Sequence, residues 1–439
     1  MKGKLKTSLQ IGIRQLILLF CSVIVGCGLL VMAYLIPQEA IYDNTRESIN
    51  VLYTEWSRNE SCQQWMGIKG TIVDYFTDGL IINTAYIEEG NILENVLLAN
   101  HIAHEGERSP LTALYSYLFE EDQVYSVASY AVYWHGYQTI LRPLLMIMSV
   151  SSIRFLNMAV QISLVILLLG MLIRKQKERL AVPFLVMWLS LIPNILFVCF
   201  QYSSAFYATI FTSLLVAFLW QKEKDEKLFI KLCLAFESGG IILAYFDILT
   251  YPLVALGVPL ILFLSMDADC KAGIIERGRQ IVALSASWIV GYVGMWFGKW
   301  VMATLFTEEN ILQNAWEKLV FRSSHEYGDA QFTLRGTIAV NLSFMSNGIF
   351  VILFAGAVLL FFICCMRYHV HVNIPVLLSI GIVSLYPFVW YFFTMNHSNL
   401  HAVYTWRELV ISVYGAMSIL YVNVTNVPRK ECMRKSGRA

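Results

Sequence analysis

Two acids four residues apart, Asp74 and Asp78 in VDYFTDGLIINTAY, are the first side chains here whose type and spacing could do chemistry. At that spacing they share one face of a helix. A carboxylate held in place can take a proton from a sugar hydroxyl as a general base, or hold a divalent cation. Asp78 is the favoured acid, with Asp43 and Glu39, just after the first apolar segment, as its rivals. The cations lie elsewhere. YWHGYQTILRP carries His135 and Arg142, and a guanidinium forks onto phosphate. It can also snorkel to ordinary lipid headgroups. FDILTYP brings Asp247, and GYVGMWFGKW brings Lys299 after three glycines whose spacing lets helices approach closely. NHSNLHAVYTWREL gathers Asn396, His397, Ser398, His401 and Arg407. Two histidines without a third ligand make a weak metal set, whereas with an arginine they suit a phosphate or a sugar. Glu237, earlier in the segment that ends near Asp247, reads as a partner within a helix bundle.

No motif of a soluble enzyme accompanies these residues: there is no P-loop, GxSxG, HExxH or GxGxxG after a strand. The composition says what must position them. Of 439 residues 57% are hydrophobic and 14% charged, with a mean hydropathy of +0.59. Soluble domains hold about 25% charged residues, so this chain departs toward the membrane. The apolar residues come in runs near the roughly 20 needed to cross a bilayer. The nine cysteines show no CxxC and no paired spacing, which points to neither a disulfide framework nor a zinc site.

The expected fold is an all-α polytopic membrane protein of about ten transmembrane helices. Residues 1–36 form a cytoplasmic N-terminus and first transmembrane helix, too long an apolar run for a signal peptide. Residues 37–152 form a long outer loop, too polar for a bilayer. Nine further membrane segments fill 153–424, at about 155–173, 182–200, 204–220, 229–249, 252–266, 281–306, 347–366, 374–393 and 407–424, and a basic cytoplasmic tail covers 425–439. The segment at 252–266 is short enough to be re-entrant, and tight hairpins turn at FQYSS and FDILTYP. RKQKER, QKEKDEK, KAGIIERGR and RKECMRKSGR then fall on the inner side and most acids on the outer, as the positive-inside rule requires. Both termini are cytoplasmic on this reading, and the protein sits in the cell membrane.

Within the long loop, Ile41, Ile49, Leu52 and Trp56 fall near one helical face, and Ser109-Pro110 opens a helix through PLTALYSYLF. The Tyr and Trp density at 125–137 fits a membrane interface. QTILRPLLMIMSV, interrupted by Pro143, reads as a juxtamembrane helix on the membrane surface.

This layout resembles the GT-C superfamily of membrane glycosyltransferases. The resemblance is carried by the first helix and long outer loop, by SSIRFLNMAVQISLVILLLGMLIRK, and by the hairpin GGIILAYFDILTYPLVALGVPLILFL. It implies transfer of a sugar from a polyprenyl-phosphate carrier to an acceptor on the outer face. An outer-loop acid, Asp78 or else Asp43, would be the base or a metal ligand. His135, Arg142, Asp247, Lys299, His397, His401 and Arg407 would bind substrate. The partners implied are a lipid-linked sugar donor, a glycan or lipid acceptor and membrane lipids, with no nucleic acid; a divalent cation is the one cofactor it admits. The chain lacks the adjacent acidic pair usual after the first helix. Two other classes compete: a surface-polysaccharide polymerase or ligase, and a non-catalytic transport or assembly subunit.

Overall fold

A computed structural model describes residues 2–58, 71, 73–87, 90–104, 109–120, 124–223, 225–346, 348–370 and 372–428. Cys62, Cys432 and the basic tail from residue 429 lie outside the described residues. The chain opens with α1 (Lys2–Tyr34). Pro37, in extended backbone, stops it and starts α2 (Gln38–Ser57), whose Ile41, Ile49 and Leu52 are buried while Trp56 stays exposed. The polar segment continues through α3 (Tyr75–Tyr86), α4 (Ile92–Leu98), β1 (His101–His104), α5 (Pro110–Phe119), β2 (Tyr125–Ala128) and α6 (Gln138–Leu145). It is thus a folded segment whose apolar side chains join one continuous core with the helices that follow, and β1 pairs antiparallel with β2.

The remainder is helical. It runs through α7 (Val150–Arg174), α8 (Ala181–Ser190), α9 (Pro193–Val198), α10 (Phe200–Leu219), α11 (Glu226–Phe246), α12 (Val254–Met266) and α13 (Ile274–Phe306). Next come α14 (Ile311–Ser323), the two-residue strands β3 (Glu326–Tyr327) and β4 (Ala330–Gln331), α15 (Leu334–Met345) and α16 (Gly348–Arg367). The chain closes with β5 (Tyr368–Val370), α17 (Ile374–Ser384), α18 (Tyr386–Phe393), α19 (Met395–Leu400), α20 (Ala402–Thr405), α21 (Val410–Val422) and β6 (Val424–Pro428).

Among the described residues seven helical stretches are long and apolar enough to cross a membrane: Thr7–Tyr34, Val150–Arg174, Phe200–Leu219, Glu226–Phe246, Ile274–Phe306, Phe350–Arg367 and Ile374–Phe393. The other three expected spans take different forms. The run at 182–200 breaks into α8 and α9, because Pro193 has no N–H to continue a helix and Ile192 turns to a left-handed φ of 59°. The run at 252–266 is the 13-residue α12, buried along its whole length. The last run is a 3₁₀ turn, Trp406–Leu409, followed by the 13-residue α21. The expected tail begins with β6, which pairs with β5.

The helix ends sort into two sets. The polar domain covers one: Arg142 reaches Ala33 beyond the middle of α1, Asp78 reaches the start of α10, Gly136 bonds Tyr245 near the end of α11, and Lys299 near the end of α13 reaches Val96. At the opposite end Trp220 bonds Asp267, Lys177 and Arg179 pair with Asp269, and Asn373 bonds Ala268. The core crossing is that of α11 and α13. A Cβ on Gly240 would fall on the Trp288 carbonyl, and one on Gly291 on the Glu237 carbonyl, so only glycine lets these backbones meet.

Candidate functional site

Three of the charged side chains singled out in the sequence, Asp78, Arg142 and Lys299, are buried where the polar domain meets the bundle, and there they close helix ends. Asp78 is 0% exposed. Its carboxylate accepts the backbone N–H groups of Phe200 and Gln201, each at 3.2 Å, and the Cys199 thiol at 3.6 Å. It therefore caps α10 from another segment, its oxygens accepting the N–H groups at the positive end of the helix dipole. This moves the turn expected at FQYSS back to Cys199. Burial pushes the Asp78 carboxyl up to about 7, against the pull of Arg154. Arg142, expected at lipid headgroups, is 1% exposed. Its guanidinium donates to the carbonyls of Ala33, Ile36 and Ala85, near the C-termini of α1 and α3, and lies 4.5 Å from the Tyr34 ring centroid. Lys299 likewise donates to Val96 and Leu97 in the last turn of α4, at 2.9 and 2.7 Å. Cations at helix C-termini match the dipole.

His135 sits in the same junction at a left-handed φ of 54°. Its ring bonds the Tyr130 carbonyl at 2.9 Å and the Tyr137 hydroxyl, and burial brings its pKa down to about 3. Its neighbour Gly136 donates to Tyr245 at 2.8 Å so closely that a Cβ would overlap that ring. Asp43 is exposed on α2 and shares none of these contacts.

A second group is buried except for His401, which is partly exposed. His397 and His401 do share a face, with ring centroids 4.9 Å apart, and His401 stacks on Tyr404 at 5.1 Å. His397 Nε2 lies 3.2 Å from the carbonyl of Leu249. A carbonyl only accepts, so Nε2 carries the proton. That carbonyl belongs to the turn that Asp247 closes by accepting the backbone N–H and hydroxyl of Thr250. Arg407 is buried beneath, its guanidinium 4.1 Å from the Tyr202 ring centroid and 4.8 Å from that of Trp406. Burial first, and then the charge of Arg322, holds both imidazoles down, His401 to about 4. Both rings are neutral near pH 7 and serve as hydrogen-bond groups, not as cations.

The cation here is Arg322, which the sequence reading passed over. Ile311, Ala315, Lys318 and Arg322 follow one face of α14 and turn toward the bundle. Arg322 donates to the Tyr133 hydroxyl, and Lys318 lies 5.2 Å from the Tyr130 ring centroid. The end of α14 is tied to α19 by Asn396, which donates to the Ser324 carbonyl at 3.1 Å and to its hydroxyl at 3.0 Å. No carboxylate pairs with Arg322 among the described residues. Asp74 stands at the start of α3. It caps α3 by accepting the Thr77 N–H at 3.0 Å, and burial raises its pKa. Asp74 and Arg322 act in opposite senses on the same two phenols, Tyr130 and Tyr404. Asp74, Arg322, the phenols of Tyr130 and Tyr404 and the two neutral imidazoles are thus coupled electrostatically. The Lys318/Arg322 spacing of four on a helix with Ile311 and Ala315 was the signal available for this group. No three His, Cys, Asp or Glu side chains gather into a metal-ligand set among the described residues.

Comparison with family models, with curated proteins and with solved structures returns no match for this chain.

Proposed function

We propose that this protein is a multi-pass membrane transferase. It moves a sugar from a polyprenyl-phosphate carrier to a cell-surface acceptor, in the manner of the GT-C enzymes its layout resembles. On this reading ten segments span the cell membrane, both termini are cytoplasmic and the polar domain lies outside. The observation that carries it is Arg322, which donates to the Tyr133 phenol and has no carboxylate partner among the described residues, while it and Asp74 act in opposite senses on Tyr130 and Tyr404. In this mechanism the acceptor hydroxyl attacks the anomeric carbon while the bond to the carrier phosphate breaks. The phosphate leaves with the electron pair, and Arg322 and Lys318 stabilise its charge. Asp74, made more basic by burial, takes the acceptor proton. His397 and His401 bond sugar hydroxyls as neutral rings. The base is moved here from Asp78 to Asp74, four residues earlier, because Asp78 is 0% exposed and tied to the start of α10, whereas Asp74 is half-buried and bonded within its own turn, to Thr77.

The test is to supply the purified protein with a panel of polyprenyl-phosphate sugars. A charge-assisted hydrogen bond contributes about 1.5–3 kcal/mol, so Arg322→Gln should weaken donor binding on the order of tenfold to a hundredfold. Asp74→Asn should bind donor normally and lose turnover. Binding and hydrolysis of none of the donors would sink the proposal.

A further inference from the structure

The helix that carries Lys318 and Arg322 has three faces. Ile311 and Ala315 are buried, with Lys318 and Arg322 half-buried beside them. Gln313 and Glu317 are exposed and polar. Between these runs a third stripe, Leu312, Trp316, Leu319 and Val320, at the i, i+4, i+7, i+8 spacing of an apolar helix face. Trp316 is 65% exposed, Leu319 46% and Val320 51%. A stripe like this on a soluble surface is a liability, and here it continues another. α14 follows α13 after only four residues, and α13 is long and apolar enough to cross a membrane. The outward side of α13 shows Val293, Phe297, Leu305 and Phe306, all exposed and apolar up to its last turn. The stripe on α14 takes over where that lipid-facing side stops.

We propose that α14 is an interfacial helix. It lies at the boundary between headgroups and acyl chains at the polar-domain end, with Leu312, Trp316, Leu319 and Val320 against lipid and Gln313 and Glu317 in water. Tryptophan favours that depth because its ring is apolar and its N–H is polar. An amphipathic helix of this kind holds itself in the plane of the interface. The bilayer thereby fixes the height of Lys318 and Arg322, which sit at headgroup level on the neighbouring face of the same helix. The inference rests on the membrane character of the bundle and not on the transfer reaction.

The test uses the full chain in liposomes, without any sugar donor. Trp316→Cys and Gln313→Cys are labelled in turn with a nitrobenzoxadiazole thiol reagent, and the signal of the unsubstituted chain is subtracted. Both positions are exposed, and Leu319→Cys replaces Trp316→Cys if that variant does not run as a monodisperse species. The label at 316 should lose emission to lipids brominated near the glycerol end, less to lipids brominated at the chain end, and little to aqueous iodide. The label at 313 should show the reverse order between bromolipid and iodide. Iodide quenching at 316 would put the stripe in water. Quenching there by neither agent would mean that protein, such as a second copy of the chain, covers it. Either result overturns the proposal, whether or not the protein transfers sugar.

Discussion

Asp78→Asn separates the two roles open to this acid, a base facing substrate and a cap for α10. The carboxyl is displaced from its ordinary value of 3.8 to about 7, and burial is the largest cause. The unfolded chain releases this proton near pH 4, whereas the folded chain keeps it until about pH 7. Its contribution to stability is therefore full below pH 4 and is lost as pH rises to about 7. At about 1.36 kcal/mol per unit, roughly 4 kcal/mol disappears across that window. Asparagine carries no charge, so the variant has no such slope. It turns an NH₂ toward a backbone N–H, which costs about 1–3 kcal/mol at every pH. The wild type should therefore be the more stable protein at pH 4 and the variant the more stable at pH 8. Thermal melts in detergent read the difference. Unfolding entropy of about 2.1 cal/mol/K per residue makes 1 kcal/mol worth about 1 °C in a chain this long. The wild-type melting temperature, measured relative to the variant, should fall by about 3 °C between pH 5 and pH 8. Other titrating groups are common to both proteins and cancel. Parallel curves would refute the buried-cap account, and normal folding with lost turnover in the variant would return Asp78 to the role of base.

Arg142→Met should cost about 3–5 kcal/mol, because it strips a charged donor from three buried carbonyls, and Arg142→Lys should recover part of that. Melting temperature checks the cost, and unchanged donor affinity per folded molecule distinguishes a clamp from a phosphate ligand. Gly240→Ala should destabilise by about 1–3 kcal/mol or more, since the added methyl meets the Trp288 carbonyl and neither helix can retreat alone. Gly278→Ala, where a Cβ meets nothing within 4 Å, is the control. It should be stabilising by about 0.5–1 kcal/mol in the same melts.

How far the sequence could be read follows from what each residue's partner was. Apolar runs, α5 opening at Pro110 and the face shared by His397 and His401 depend on neighbours within a few residues, and local spacing shows them. The break between α8 and α9 was also local. Pro193 marked it, but hydropathy averaged over the run hid it. The charged residues were harder, because an ion in an apolar segment looks the same in sequence whether it meets a ligand or a distant helix end. In the folded chain several of these ions divide by sign, although Asp247 and Asp267 are buried acids at the C-termini of α11 and α12 and Glu237 is buried within α11. Asp78 meets the N-terminal N–H groups of α10, and Glu408 accepts the N–H of Leu253 just before α12. The bases take carbonyls at C-termini: Arg142 at α1 and α3, Lys299 at α4, Arg154 at α9, and Lys175 at α10. That is the pairing the helix dipole demands, and in a low-dielectric interior an uncapped end would cost several kcal/mol per orphaned group. Arg322 differs from these ions in its partner. It sits in the last turn of α14, but its guanidinium donates to the neutral Tyr133 phenol, and no carboxylate pairs with it among the described residues. It was missed because the sequence placed it in a stretch with no apolar run to make a charge conspicuous. Arg322 lay where charges are ordinary, whereas three of the conspicuous ions, Asp78, Arg142 and Lys299, were holding helices together.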